Sequence, residues 1–391
     1  MKQNKRYRIL IADTYSPVSM EIPHLFKKAG CEVDIFCFKN SWLKKNNCWN
    51  NWFEAGNIQD GTYARQLQAL VEKGDYSWVV LSDDEAIRVA NEAIGDENLA
   101  KKILPLSKME NRLMLASKSG LSLLCQKYGI LIPDFFLYEK TSDLKIMGDH
   151  LSYPLLLKED GNGGGAGVYL CRNEPEVVSV LGKLGDEKKK NLIFQKYIFG
   201  DIICVEALYK NGQLLAYAYS KAIRTTINEF GPSLKREYLA CPEIEKELHF
   251  IGSTLGLSGF VTMTFMYCPQ IKKHYLIEAD MRPQSWFRMA KFCGVDFSKA
   301  IQNYLDGEAI LLRPVFKARE VLTMTHFTRD VSRCFNEFDV RGFLKWVFNV
   351  QGCWRFIPYY DRKTLGVTLK NLARNALGVC WRKLFKVKRN L

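Results

Sequence analysis

Two clusters in the sequence have residue types and spacing suited to chemistry. The first is Tyr153-Pro-Leu-Leu-Leu-Lys158-Glu-Asp-Gly161-Asn-Gly163-Gly164-Gly165-Ala166-Gly167-Val168. Five glycines in seven residues follow a lysine that closes an apolar run. Gly161, Gly163 and Ala166 satisfy the G-x-G-x-x-[GA] pattern, but a dinucleotide site needs a helix next, and Val168-Tyr169-Leu170-Cys171 is a β-type run. No Gly-Lys-Ser/Thr follows, so this is not a P-loop either. The reading is a hairpin whose bare backbone folds onto phosphate oxygens and donates N–H groups to them. Lys158 would add a point charge to the same phosphates. On its own, the loop also fits a surface hairpin.

The second cluster is His274-Tyr-Leu-Ile-Glu278-Ala-Asp280-Met-Arg282-Pro283. Strand alternation places Glu278, Asp280 and Arg282 on one face. Two carboxylates can hold a hard cation such as Mg²⁺, and a guanidinium can hold a phosphate oxygen, so a metal–triphosphate reconciles the charges. An exposed strand end with a surface ion pair is the bland alternative.

These clusters need elements to position them. Residues 7–12, 31–38 and 76–82 read as buried strands, with helical patterns at Val18–Ala29, at 62–73 and from Asp83-Asp84 onward. That alternation predicts a parallel sheet with packed helices. The loop after the first strand, Asp13-Thr14-Tyr15-Ser16-Pro17, has no glycine cluster to cradle a pyrophosphate. A long helical region is expected over 107–129, ending at Gly129 with Pro133 beyond. From 153 the pattern becomes α+β. Strands are expected at Tyr153–Lys158, Val168–Cys171, Leu192–Gln195, Ile202–Tyr209, Leu214–Ser220, Phe260–Tyr267 and His274–Glu278, and helices near 174–184, 243–255 and 286–304.

With 391 residues, 47% hydrophobic and 25% charged, the chain has the balance of a packed globular protein of two or three domains. No apolar run approaches the ~20 residues of a membrane span, and Ile9–Ala12 is too short for a signal peptide. The 12 cysteines show neither C-x-x-C pairs nor zinc spacing, which suggests reduced core thiols in a cytoplasmic protein. The 5 histidines form no constellation. Net charge is +14, and it is concentrated at one end: residues 313–391 carry 17 Lys/Arg against 5 Asp/Glu. The nearly neutral body argues against a nucleic-acid binder.

In this order, the two clusters resemble the ATP-grasp superfamily, particularly its biotin carboxylase and carbamoyl-phosphate synthetase branch. The likeness covers about residues 1–312. It implies an α/β N-terminal domain with a parallel sheet over 1–106. An α+β ATP-grasp fold would follow over 107–312, with a lid part to about 195 and a metal and catalytic part from 196. A basic helical C-terminal extension would occupy 313–391.

The resemblance also implies roles for individual residues. Lys118 and Lys158 would be the phosphate-binding lysines, and Gly161–Gly167 the lid, with Gly163, Gly164, Gly165 and Gly167 at the nucleotide. Gln195 and the main chain of Lys196, Tyr197 and Ile198 would meet the adenine edge. Asp201 would take the ribose, with Ile202 in the expected register and Glu206 as a weaker acid candidate. Glu278 and Asp280 would hold one or two Mg²⁺, with Mn²⁺ as a substitute. Arg282, Lys158 and Arg224 would serve the reacting groups, although Arg224 fits a surface position equally well. Thr264 stands where the family has an acid or Gln, Asp280 where it has Asn, and Gln195 where it often has Glu.

The implied reaction is ATP-dependent ligation. A substrate carboxylate becomes an acylphosphate with release of ADP, and an amine or other nucleophile displaces phosphate. The alternatives are carbamoyl-phosphate or carboxylation chemistry, and a catalytically impaired ATP-binding adaptor at a membrane. Small-molecule acid and amine are the expected partners, with a homodimer as the expected assembly. In the tail, Leu365, Leu369, Leu372, Ala376, Cys380, Leu384 and Val387 recur at helical spacing among Lys370, Arg374, Arg382, Lys383, Lys386, Lys388 and Arg389. Such a helix either docks on the body or lies peripherally on an anionic membrane through 365–391.

Overall fold

The computed structural model describes residues 6–138, 148, 150–161, 163–185, 192–226, 229–316 and 320–387, with side chains to 379. The tail positions Cys380, Arg382, Lys383, Leu384, Lys386, Val387, Lys388 and Arg389 therefore lie outside the described side chains.

Three sheets build the molecule. The first holds β1 (Arg8–Ala12), β2 (Glu32–Cys37), β3 (Asn51–Glu54) and β4 (Trp78–Leu81) in the order β3-β2-β1-β4. All three pairings are parallel. β1 is almost wholly buried, which explains its unbroken apolar run. The helix Asp84–Ala93 leaves the carboxyl end of β4, and the Asp83 side chain caps it by accepting from the Ala86 N–H.

The second sheet is antiparallel: β5 (Phe135–Tyr138), β6 (Leu155–Glu159), β7 (Val168–Cys171) and β8 (Leu192–Lys196), in the order β5-β8-β6-β7. The glycine loop joins β6 to β7, with Lys158 opposite Val168, as a hairpin reading requires. The third sheet carries β9 (Asp201–Lys210), β10 (Gln213–Thr225), β11 (Ser233–Tyr238), β12 (Gly259–Cys268), β13 (Lys273–Asp280) and β14 (Leu322–Thr325). Its order is β13-β12-β9-β10-β11-β14. One face packs on the first sheet: Val205, Tyr209 and Met263 share a core with Leu10, Leu67 and Leu124.

The region expected as one helix over 107–129 is two pieces. A 3-10 turn covers Met109–Met114, Ala116 takes a positive φ of 53°, and an α-helix starts afresh at Lys118 and runs to Tyr128. Ser117 caps the new helix by accepting from the Gly120 N–H. Position 120 needs glycine, because a Cβ there would sit 1.9 Å from the Leu113 carbonyl oxygen. The break puts Lys118 on the first turn of a helix instead of mid-helix. The 286–304 region is likewise divided at Gly294, with short helical turns before it and the helix Phe297–Asp306 after it.

After β14 come the helices Phe327–Glu337, Val340–Val347 and Arg362–Val387. The eleven cysteines with described side chains are all free thiols. Among the described residues, no helix is long and apolar enough to cross a membrane.

Candidate active site

The two sequence clusters meet in one slot. Its walls are Asp84, Ser117, Lys118, Gly161, Gly163, Glu278 and Asp280, with Ala116, Leu121, Ala279 and Met281 between them. Four segments converge there: the end of β4, the start of the helix Lys118–Tyr128, the glycine loop, and the end of β13. The slot encloses about 40 Å³, whereas small-molecule pockets are typically ~300–1,000 Å³. A nucleotide therefore requires the glycine loop to lift.

The loop is held down from both sides. Asp160 accepts from the Lys118 backbone N–H at 2.6 Å and from the Ser117 hydroxyl at 2.8 Å, and the Ser119 hydroxyl also donates to it. This carboxylate sits where a helix N-terminus favours an anion. At the loop's far side, Gly165 has φ 79° and lies so close to Phe230 that a Cβ would be 2.2 Å from its carbonyl oxygen. Gly161 and Gly163 line the slot, whereas Gly164 and Gly165 turn toward Pro232 and Phe230. Gly167 accepts from the Glu159 N–H across the hairpin.

Lys158 is buried and donates to Gln195 Oε1 at 2.6 Å. Burial pushes its pKa down to about 8; the Glu278 carboxylate opposes that shift and Lys118 adds to it. Lys158, Lys118 and Glu278 therefore share one electrostatic field. Gln195 positions Lys158, a role that its expected place at the adenine edge does not announce.

Glu278 lies opposite Thr264, and Asp280 opposite Thr262, across the β12–β13 pair. Burial pushes Asp280 up to about 7; Arg282 opposes this, while Glu278 and Asp84 reinforce it. Arg282 donates to Asp84 Oδ1 at 2.8 Å and to Asp280 Oδ2 at 3.1 Å. Burial would lower the Arg282 pKa, but Asp280 and Asp84 hold it above the ordinary range.

Among the described residues, no group of three or more His, Cys, Asp or Glu side chains is placed to hold a metal. The two-acid pair still fits Mg²⁺, which commonly takes one or two protein carboxylates and fills its shell with phosphate oxygens and water. The buried Thr262 hydroxyl beside Asp280 has no hydrogen-bond partner among the described residues.

Other expected residues lie away from the slot. Lys196 and Tyr197 already donate their backbone N–H groups to the Asp134 and Pro154 carbonyls, so Ile198 has the one amide of that stretch not engaged in this way. Asp201 pairs with Lys221 at 2.8 Å. The pleat sends it to the sheet face opposite that of Cys204, Thr264 and Glu278, while Ile202 stays on their side. Arg224 pairs with Glu337 at 2.8 Å on the surface. Glu206 is fully buried in an ion pair with Arg236 at 2.5 Å, so the ribose candidate of second rank is a structural acid.

A second cationic group, not expected from the sequence, lies near the sheet face that carries Thr264 and Glu278. Cys204, which lies opposite Thr264, feels Arg236, Glu206, Glu278 and Arg329 together. Arg236 is occupied by Glu206 and stacks 4.3 Å over Trp286. Arg329 donates to the Ser233 carbonyl at 2.6 Å and has no carboxylate partner among the described residues. Burial and the Arg236 charge push its pKa down to about 10, so it stays cationic at neutral pH. Nothing in the sequence around Thr328-Arg329-Asp330 signals this placement.

No family model matches the sequence, and no curated protein matches it. Solved structures do match. N5-carboxyaminoimidazole synthetase from Staphylococcus aureus, complexed with ADP, is 13% identical with a TM-score of 0.64, covering 86% of this chain and 87% of that one. The biotin carboxylase domain of Hydrogenobacter thermophilus 2-oxoglutarate carboxylase, in complex with MgADP, ADP and bicarbonate, is 17% identical with a TM-score of 0.58, covering 78% and 70%. L-amino acid ligase from Bacillus licheniformis is 18% identical with a TM-score of 0.56, covering 77% and 75%. These are ATP-grasp proteins, and the chain shares their fold.

Proposed function

We propose that this ATP-grasp fold is an ADP-forming ligase that joins a small-molecule carboxylate to an amine. The observation that carries the reading is one slot walled by Lys118, Glu278, Asp280 and the glycine hairpin, with the buried Lys158 behind it close enough to feel Glu278 and Lys118. Two cations and two acids around a phosphate-binding loop suit a metal–triphosphate better than any single-charge ligand. The ADP-bound synthetase and the MgADP-bound carboxylase domain support ATP and Mg²⁺ as ligands. Mn²⁺ is expected to substitute.

In this reading Glu278 and Asp280 would hold Mg²⁺, which when bound neutralises triphosphate oxygens. Lys158 and Lys118 bind phosphate oxygens, and Arg282 moves from Asp84 to the transferred group. The substrate carboxylate attacks the γ-phosphorus, the bond to the β-bridging oxygen breaks, and ADP leaves. The amine then adds to the acylphosphate carbonyl, inorganic phosphate departs, and a proton is released. Positioning and charge neutralisation do this work, with no protein nucleophile. The glycine hairpin excludes water from the acylphosphate. Arg329 is assigned to the substrate carboxylate, because it lies within electrostatic reach of Cys204, beside Thr264, and has no acid of its own among the described residues.

The division at 106 and 312, a homodimer and a cytoplasmic setting complete the proposal; the eleven free cysteines suit a reducing compartment. The basic segment 365–391 is expected to bring the enzyme to an anionic membrane. A second reading, an ATP-binding adaptor without turnover, is favoured by Thr264, which offers no carboxylate opposite Glu278. ADP release across pooled amino acids and sugar acids, with mass spectrometry of the product, tests the two. A new amide with stoichiometric ADP supports the ligase. ATP binding without ADP from any pool supports the adaptor.

A further inference from the structure

The segments after β14 build a second cavity with none of the first one's chemistry. Phe327 and Phe335, Phe343 and Trp346, and Leu369 and Leu372 face one another from three helices across a groove of about 320 Å³. That volume is in the range of small-molecule pockets, yet the lining is apolar throughout.

The apolar surface continues past the rim. Phe348 is 72% exposed, Leu369 50%, Val347 47% and Trp354 44%. Ten of the 22 exposed large apolar side chains among the described residues lie between Phe338 and Leu377, so they are concentrated in the segment that builds the groove. Concentrations of this kind mark interaction sites.

The charges on this face have one sign. Residues 340–379 contain Arg341, Lys345, Arg355, Arg362, Lys363, Lys370 and Arg374, all exposed and none in an ion pair among the described residues. The one acid of this stretch, Asp361, is buried and accepts from the Asn47 and Thr364 N–H groups. At the edge, Glu337 and Asp339 are tied to Arg333, and Glu337 also to Arg224.

We propose that this face docks on an anionic phospholipid bilayer. Phe348, Trp354 and the neighbouring aliphatic side chains enter the acyl boundary, the groove takes an acyl segment, and Arg341, Lys345, Arg362, Lys370 and Arg374 supply cations for the headgroups, whereas Lys363 and Arg355 are bonded to main-chain carbonyls. A second copy of the chain is disfavoured, because apposing two such faces brings like charges together. The contact is not the long helix alone, since Thr364, Thr368 and Leu372 turn one side of it into the protein. The proposal deepens the membrane reading of 365–391 and rests on it, but not on the ligase chemistry, so vesicle binding can fail while ADP release persists, and the reverse.

Sedimentation of the full chain with phosphatidylcholine vesicles, with and without phosphatidylserine, tests it. The chain is expected to pellet with the phosphatidylserine vesicles only, and to be released by salt. Lys345→Glu and Lys370→Glu each weaken partitioning by about fivefold or more. Phe348→Asp lowers it at least tenfold while the melting temperature stays unchanged, because the side chain is exposed. Failure to pellet at low salt, or pelleting indifferent to Phe348→Asp, overturns the proposal. So does a dimer in sedimentation velocity that Phe348→Asp dissociates, which would assign the face to a second copy.

Discussion

The guanidinium of Arg282 is hydrogen-bonded to Asp84 at 2.8 Å, across 198 positions of sequence. The end of the strand carrying Glu278 and Asp280 is thereby tied to the first residue of the helix that follows β4. The same Asp84 carboxylate lies 3.9 Å from where a Cβ at Gly163 would be. One acid of the N-terminal part thus binds Arg282 and lines the same slot as Gly163.

Asp84 competes with a phosphate for Arg282. Asp84→Asn is therefore expected to tighten Mg·ATP binding by about fivefold, the scale of ~1 kcal/mol for a partly exposed ion pair. Calorimetric titration reads this directly. Weaker binding would instead make Asp84 a metal ligand.

Lys158 gives a pH signature. Its folded-state pKa of about 8 lies below the ordinary lysine value, so the free protein loses this proton as pH rises through about 8. The unfolded chain keeps the proton to higher pH, so this group's contribution to stability rises between pH 8 and the ordinary lysine range. Triphosphate would draw the proton back. ATP binding at about pH 9 should take up close to one proton through Lys158; at about pH 6.5 Lys158 is already protonated and takes up almost none, while Asp280, held near pH 7, would give up its proton to a bound cation, so a net release is expected there. The heat of binding in buffers of different ionisation enthalpy measures the uptake. Lys158→Met should abolish the uptake at the higher pH; its persistence would place the titrating group elsewhere.

Much of this site was legible in the sequence, for a physical reason. A lysine closing a buried strand, a glycine hairpin, and two acids spaced by two on a strand are local patterns, and each keeps its geometry in the fold. What escaped depends on distant partners. β11 was missed because Ser-Leu-Lys-Arg-Glu-Tyr reads as polar surface, yet Arg236 points inward to Glu206 from another strand. β3, β5 and β14 are four-residue strands with at most one buried residue and no flanking signal, unlike the equally short β4, which is buried, and β7, which the glycine loop marks. Gln195 was assigned to adenine by its place in the hinge, while its side chain holds Lys158. The single helix over 107–129 failed because apolar spacing does not register a positive φ at Ala116.

A buried carboxyl in the first sheet makes stability fall with pH. Asp13 is fully buried at the end of β1 and accepts from the Ser19, Ser41 and Ser82 hydroxyls. Burial, with the Asp83 charge beside it, pushes its pKa up to about 7. From the ordinary Asp range to about pH 7 the folded chain keeps a proton that the unfolded chain has lost. Stability therefore declines as pH rises through that window, by up to ~1.4 kcal/mol per pH unit. Asp13→Asn should raise the melting temperature above about pH 7 and flatten the decline. An unchanged slope would show that Asp13 is ionised in the folded state throughout.

The central claim is that Lys158 and Glu278 grip the same triphosphate. A double-mutant cycle on Mg·ATP affinity, with Lys158→Met, Glu278→Gln and the double variant, tests it most directly. Residues joined through one ligand should show a coupling of about 1 kcal/mol or more, with the double variant losing clearly less than the sum of the single losses. Strictly additive losses, or single variants that bind Mg·ATP as the wild type does, would contradict the account.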